Sequence, residues 1–250
     1  MGLSDPAREA LLALADDELL MGHRHSEWLG VAPFLEEDLA FASIAQDELG
    51  HARGLYRILV EEGDVDELAF RRQPQEYRCA WLTELPGRPW EQALVRHVLY
   101  DSAEEVRWRA LLESSLPGLG ELARKALAEE EYHRRHGVPL LQRMIIGTND
   151  SRSRVGGQLD ELLPLARALF EPTEGEDQAV ADGVVAAPMQ ELEAEWRQGL
   201  EQVLEAVGAE LRWPEEPQGL GARRGARSPH FAEALETMTI VFELDPQARW

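Results

Sequence analysis

Two tetrapeptides in this sequence have the residue types and spacing of metal ligands: Glu48-Leu49-Gly50-His51 and Glu130-Glu131-Tyr132-His133. A carboxylate and an imidazole three residues apart share one face of an α-helix on adjacent turns. One such pair on each of two helices, completed by a carboxylate from each of two others, is the ligand set of a di-iron or di-manganese bundle. A single tetrapeptide is weak evidence, because the chain holds 47 Asp and Glu residues and chance alone places some Glu three before a His. The chemistry requires both pairs to face a core and two further acids to wait on other helices.

The apolar periodicity supplies such helices. Asp5-Pro6 reads as a helix start, an acceptor at the N-cap with proline at the first helical position. Leu11, Leu14, Ala15, Glu18, Met21 and Trp28 then recur at helical spacing as far as Gly30. A second helix is expected over about Phe34 to Glu62, with Phe41, Ile44, Leu55 and Leu59 on its stripe and Gly63 as its stop. Residues 64–89 show no sustained period and read as a long connection with short turns, the sort that tends to carry function or an interface. A third helix is expected from about Trp90 to Ser115 and a fourth from about Leu119 to Ile146, where Pro139 threatens to kink or divide it. Gly147-Thr148-Asn149-Asp150 reads as its end. Further helical patterns lie near Leu159–Phe170, Pro188–Val207 and His230–Phe242, the last after a Gly/Arg-rich stretch at 219–227. No alternating strand pattern competes. The expected fold is all-α, a four-helix core (about 5–147) with additional C-terminal helices (about 155–245) in one domain spanning 1–250.

On the second helix Glu48 and His51 fall in phase with the apolar stripe, and on the fourth Glu130 and His133 do the same. Glu18 sits among Leu14, Ala15 and Met21 on the first. Burying an unpaired carboxylate costs several kcal/mol, so unpartnered acids should not gather on such seams. Few Arg or Lys residues share them, and a cation from solution would resolve the cost. The third helix offers Asp101, Glu104 and Glu105. A helical wheel sets Glu104 nearly opposite the apolar mean, and it leaves Glu105 slightly ahead of Asp101. Of the other histidines, His23 and His136 read as surface residues, His25 as a neighbour two turns from Glu18, and His97 and His230 as outside the arrangement. Trp28 and Trp90 read as packing residues.

Composition narrows the function classes. The 250 residues are 44% hydrophobic, enough for a sizeable core. A net charge of -22 disfavours nucleic-acid and anionic-membrane partners and suits cations or a basic protein partner. Cys79 is the lone cysteine, so no intrachain disulfide can form. The beginning of the chain lacks a cationic start and an apolar run, and no stretch of 18 apolar residues occurs, so a cytoplasmic location is expected.

The chain resembles the phenylacetyl-CoA epoxidase (phenylacetate catabolic) A/C-subunit family of ferritin-like proteins, its C-type members above all. Gly22-His23-Arg24-His25-Ser26-Glu27-Trp28, Ala32-Pro33, and Asp38-Leu39-Ala40 running into Gly50-His51-Ala52-Arg53 carry the likeness. It continues through Leu68-Ala69-Phe70, Gly147-Thr148, and the ending Glu233…Met238 with a final Trp250. The resemblance implies a ferritin-like four-helix bundle and a place in a cytoplasmic, oxygen-dependent monooxygenase complex that epoxidises the ring of phenylacetyl-CoA. It implies a catalytic A-type subunit as partner and a separate reductase subunit as the electron source. It further implies that A-type subunits hold the iron while C-type subunits are structural with a degraded ligand set.

Here the sequence departs from the C-type pattern, since Glu18, Glu48, His51, Asp101, Glu130 and His133 match the A-type ligands in type and order. The intervals of 30 residues from Glu18 to Glu48 and 29 from Asp101 to Glu130 are similar to theirs, and that similarity selects Asp101 over Glu105. The expectation is a retained di-iron or di-manganese site, with no flavin or nucleotide in this chain. No Gly-rich phosphate loop marks a CoA site, and Arg223, Arg224 and Arg227 read as an ordinary polar loop. A homodimer is a further expectation. The same six ligands also fit a ferroxidase, a rubrerythrin or a manganese catalase, although one cysteine excludes rubrerythrin-type Cys pairs; a scaffold whose acids bind nothing is the remaining alternative.

Overall fold

The structure is a computed structural model that describes residues 3–60, 62–215, 223 and 225–245. Among these residues every regular element is helical. The first two long helices, α1 (Asp5–Ser26) and α2 (Leu35–Val60), lead into a connection that holds the short α3 (Val65–Phe70) and α4 (Trp81–Glu84). Two more long helices follow, α5 (Trp90–Arg109) and α6 (Leu119–Ile146). The remainder is α7 (Asn149–Ala166) with a 3₁₀ turn to Phe170, α8 (Glu176–Ala181), α9 (Met189–Glu205) and α10 (Phe231–Leu244). Helices α1 and α2 pack along each other, as do α5 and α6, and α2 meets α6 across the bundle. Helices α7 and α9 cover the outer side of α5. This is the all-α bundle with C-terminal helices that the periodicity predicts, and it fits the ferritin-like bundle that the resemblance implies.

Several boundaries differ from the sequence reading. The N-cap of α1 is Ser4, not Asp5, which lies in the first turn where its charge meets the positive end of the helix dipole. Helix α5 stops at Arg109, six residues early, and the chain turns through 110–113. Pro139 removes one backbone donor from α6, yet the helix runs unbroken to Ile146. Helix α7 begins at Asn149, far ahead of the expected Leu159. Its N-cap Thr148 accepts from the Ser151 amide at 3.1 Å while Ser151 Oγ accepts from the Thr148 amide at 3.0 Å. Polar residues fill that first stretch, so capping and not an apolar stripe defines it. Helix α8 escapes a periodicity reading for the same reason. Trp250, Arg224 and most of the 219–227 stretch lie outside the described residues.

Consecutive acids on α1 explain how the bundle end is tied together. Residues one apart on a helix point about 100° apart, so Asp16, Asp17 and Glu18, all fully buried, face three ways. Asp16 accepts from Tyr56 Oη at 2.5 Å, from Arg72 Nη1 at 3.0 Å and from the Arg78 amide at 2.6 Å. Asp17 accepts from Arg107 at 2.6 Å, Arg223 at 2.7 Å and the Ala80 amide at 2.7 Å. Arg223 also reaches the Leu169 carbonyl at 2.8 Å, and Arg227 pairs with Glu84 at 2.9 Å. Arg223 and Arg227 are therefore inserted into the bundle, which corrects their reading as an ordinary polar loop. Long guanidinium stems buried against apolar walls, with the charge met by a carboxylate, make this possible.

Close helix approach needs small residues at particular turns. A Cβ on Gly137 of α6 would fall 2.6 Å from His97 Cδ2 and 2.7 Å from its Nε2, with Val98 Cγ2 at 3.1 Å. His97 is fully buried and cannot give way. Gly137→Ala should therefore cost about 1–3 kcal/mol through overpacking. Gly157→Ala on α7, where nothing lies within 4 Å, should instead stabilise by about 0.4–1 kcal/mol. Thermal unfolding of the two variants checks the opposite signs.

Candidate metal centre

The bundle draws all six sequence-predicted residues inside. Glu18 comes from α1, Glu48 and His51 from α2, Asp101 from α5, and Glu130 and His133 from α6, and each is fully buried. They fall into two groups, Glu18 with His51 and Glu130, and Glu48 with Asp101 and His133. Within each group one ligand atom per residue lies within 4.8 Å of the others. The Glu and His of one tetrapeptide thus belong to different groups, and each Glu is grouped with the other helix's His. Glu130 Oε1 lies 3.4 Å from His133 Nδ1 and 3.8 Å from His51 Nδ1, so this carboxylate reaches both groups.

The third-helix alternatives separate clearly. Asp101 is inside, whereas the Glu105 side chain is 28% exposed and pairs with Arg109 and Arg134. Glu104 is buried and bound to Arg107. A helical wheel sets it nearly opposite the apolar mean, yet that face is not solvated, because α5 is covered on nearly all sides.

Electrostatics favour a cation. The ion-pair partners of the four carboxylates are all histidines, with no Arg or Lys against them among the described residues. Both oxygens of Glu48, Asp101 and Glu130 have no hydrogen-bonding partner, nor has His133 Nδ1. Burial, with Glu18 and Asp101 alongside, holds Glu48 well above the usual carboxylate range. Burial pushes Glu130 up to about 7. Burial opposes charge on His51, but Glu18 and the bond to Glu129 outweigh it and raise the imidazole to about 10. His133 is raised to about 12 by Glu130 and Asp47 against the same penalty. Such a donor set holds protons when no metal neutralises it. Mixed carboxylate and imidazole donors fit iron or manganese, and the orphaned buried oxygens fit the need for two divalent ions.

Two supporting residues escape the sequence reading. His51 Nε2 lies 2.8 Å from Glu129 Oε2 and His133 Nε2 lies 3.4 Å from Asp47 Oδ2, leaving each Nδ1 turned to the centre. A carboxylate on the far nitrogen fixes the ring and its tautomer for a metal. The arrangement is reciprocal: Glu129 of α6 holds the His of α2, and Asp47 of α2 holds the His of α6. Their signal is Asp47-Glu48 and Glu129-Glu130, an acid just before each motif, but an acid-rich chain hides it. On the other flank Trp108 Nε1 donates to Glu18 Oε1 at 2.9 Å, and His51 Nδ1 lies 3.3 Å from Glu18 Oε2.

His25, expected near Glu18, is fully buried with Nδ1 3.3 Å from Glu48 Oε1. His97 lies 2.8 Å from Asp101 Oδ2 and is part of the centre after all. His136 is mostly buried, not on the surface, with Nε2 2.6 Å from Glu37 Oε2. Trp28 and Trp90 pack edge-to-face at 5.0 Å over Phe41, as packing residues should. No helix among the described residues is long and apolar enough to cross a membrane.

The family described as phenylacetic acid catabolic protein matches residues 3–250. The chain is similar to the C subunit of 1,2-phenylacetyl-CoA epoxidase from Escherichia coli (strain K12), at 30% identity over 244 residues. That alignment covers 96% of this chain and 97% of the relative.

Proposed function

The chain belongs to the phenylacetic acid catabolic protein family, and from that premise we propose that it is the C-type subunit of a phenylacetyl-CoA epoxidase with a retained di-metal site. The observation that carries the reading is the pair of buried carboxylate–imidazole groups on a chain whose family likeness runs almost end to end. Glu18, Glu48, His51, Asp101, Glu130 and His133 would hold the ions. Bound iron or manganese would supply redox chemistry toward O₂ at a site the bundle keeps dry.

The chain's own groups do the rest. Glu129 and Asp47 orient His51 and His133, Trp108 fixes Glu18, and the apolar turns of α1, α2, α5 and α6 exclude water. An A-type subunit would be the partner and phenylacetyl-CoA the substrate of the complex, with electrons from a reductase subunit. A location in the cytoplasm fits that chemistry.

Co-expression with an A-type subunit tests the assignment. The two chains should elute together, and their complex should consume O₂ only with phenylacetyl-CoA and reductase present. Two chains that elute apart, with no loss of A-type activity when this one is omitted, would refute it. Peroxide disproportionation by the isolated chain, or aerobic iron uptake far beyond the roughly two ions of a di-metal site, would instead favour a catalase or a ferroxidase.

A further inference from the structure

The two halves of the centre are satisfied to very different degrees. In the Glu18 group both Glu18 oxygens and both His51 nitrogens have partners, and the atoms left over are the oxygens of Glu130. On the other side both oxygens of Glu48, both of Asp101 and Nδ1 of His133 have none. Next to them lie both nitrogens of His25 and Nδ1 of His97, also without a partner. His25 approaches Glu48 to 3.3 Å and His97 approaches Asp101 to 2.8 Å, but off the line that a hydrogen bond requires. His25 and His97 stand edge-on, with ring centroids 5.2 Å apart. Behind them His136 Nδ1 lies 3.5 Å from His97 Nε2, and its own Nε2 is held by Glu37.

We infer that the two metal positions are unequal: the Glu48/Asp101/His133 position binds the tighter ion, and His25 and His97 are the positioning residues that make it so. The inference rests on the di-metal reading. An ion entering the Glu18 side replaces hydrogen bonds that already exist. An ion entering the other side satisfies buried atoms that have none, and unmet buried polar groups are the costlier state. Once Glu48 and Asp101 each give one oxygen to the ion, the second oxygen of each is left for an imidazole N–H. Partners of that kind typically change metal affinity about 10- to 100-fold.

Anaerobic calorimetric titration of the metal-free full chain with Mn²⁺ tests this. Wild type should show two unequal steps; His133→Ala should abolish the tighter and His51→Ala the weaker. His97→Leu should weaken the tighter step about 10- to 100-fold and leave the weaker one in place. His97→Asn, which keeps an N–H where Nδ1 stands, should restore most of the loss. Should His97→Leu fail to fold by circular dichroism, His25→Gln is read in the same way. Equal steps in wild type, or a His97→Leu effect confined to the weaker step, would overturn the inference. A wild type that binds no Mn²⁺, and no Fe²⁺ in a parallel titration, would instead refute the di-metal reading beneath it.

Discussion

Glu48→Gln should stabilise the metal-free protein by about 1–2 kcal/mol while removing the ion held with Asp101 and His133. The carboxylate is fully buried, neither of its oxygens is hydrogen-bonded, and its neighbours Glu18 and Asp101 carry like charge. Its raised pKa records the same unfavourable environment: folding either binds a proton or bears the cost of a buried anion. An amide of equal size removes the charge and keeps the packing. A residue whose neutralisation strengthens the fold is there for another purpose, and the proposed ligation supplies one. Urea unfolding of metal-free wild type and variant measures the gain. If Glu48→Gln unfolds more easily than wild type, the carboxylate is serving the fold and not a metal. Glu130→Gln, at a carboxylate raised by burial to about 7, should behave in the same direction.

Asp17→Leu should do the reverse, costing about 3–5 kcal/mol. One carboxylate oxygen of Asp17 accepts from both Arg107 and Arg223, and the other accepts from the Ala80 amide. Removing it strands two guanidiniums inside the bundle end. Glu104 still pairs with Arg107, and backbone carbonyls still hold Arg223, which keeps the loss from being larger. Asp17→Asn retains an acceptor and should lose roughly half as much. A midpoint for Asp17→Leu indistinguishable from wild type would show that this network carries no stability. The contrast with Glu48→Gln is informative, since two acids on neighbouring helices, both fully buried, should shift stability in opposite directions. The difference lies entirely in whether the protein supplies the counter-charge.

That distinction also sets how far the sequence could be read. Long helices with an apolar stripe were legible because burial on one side imposes a 3.6-residue period, as in α2 and α6. Glu48, His51, Glu130 and His133 were legible because they interrupt such a stripe. Helix α5 was not, since it is buried on nearly every face, and Glu104, opposite the apolar mean, is buried with Arg107. Spacing alone left Glu105 ahead of Asp101, and only family likeness chose between them. The start of α7 and all of α8 lacked apolar periodicity and depended on capping or packing. The roles of His97 and His136 arise from contacts across α2, α5 and α6, that of Arg223 from a return of the chain over 206 residues to Asp17 of α1, and that of Arg227 from one over 143 residues to Glu84 of α4. No local pattern encodes such contacts.

The most direct test of the central claim is the metal content of the purified chain. The protein is stripped with chelator, loaded anaerobically with Fe²⁺ or Mn²⁺, passed through a desalting column and assayed for metal per chain. Two buried carboxylate–imidazole groups predict about two ions per wild-type chain, with clear losses in Glu48→Gln and His133→Ala. A wild type that retains no metal, at the level of those variants, would contradict the claim and leave a buried acidic cluster without its counter-ions.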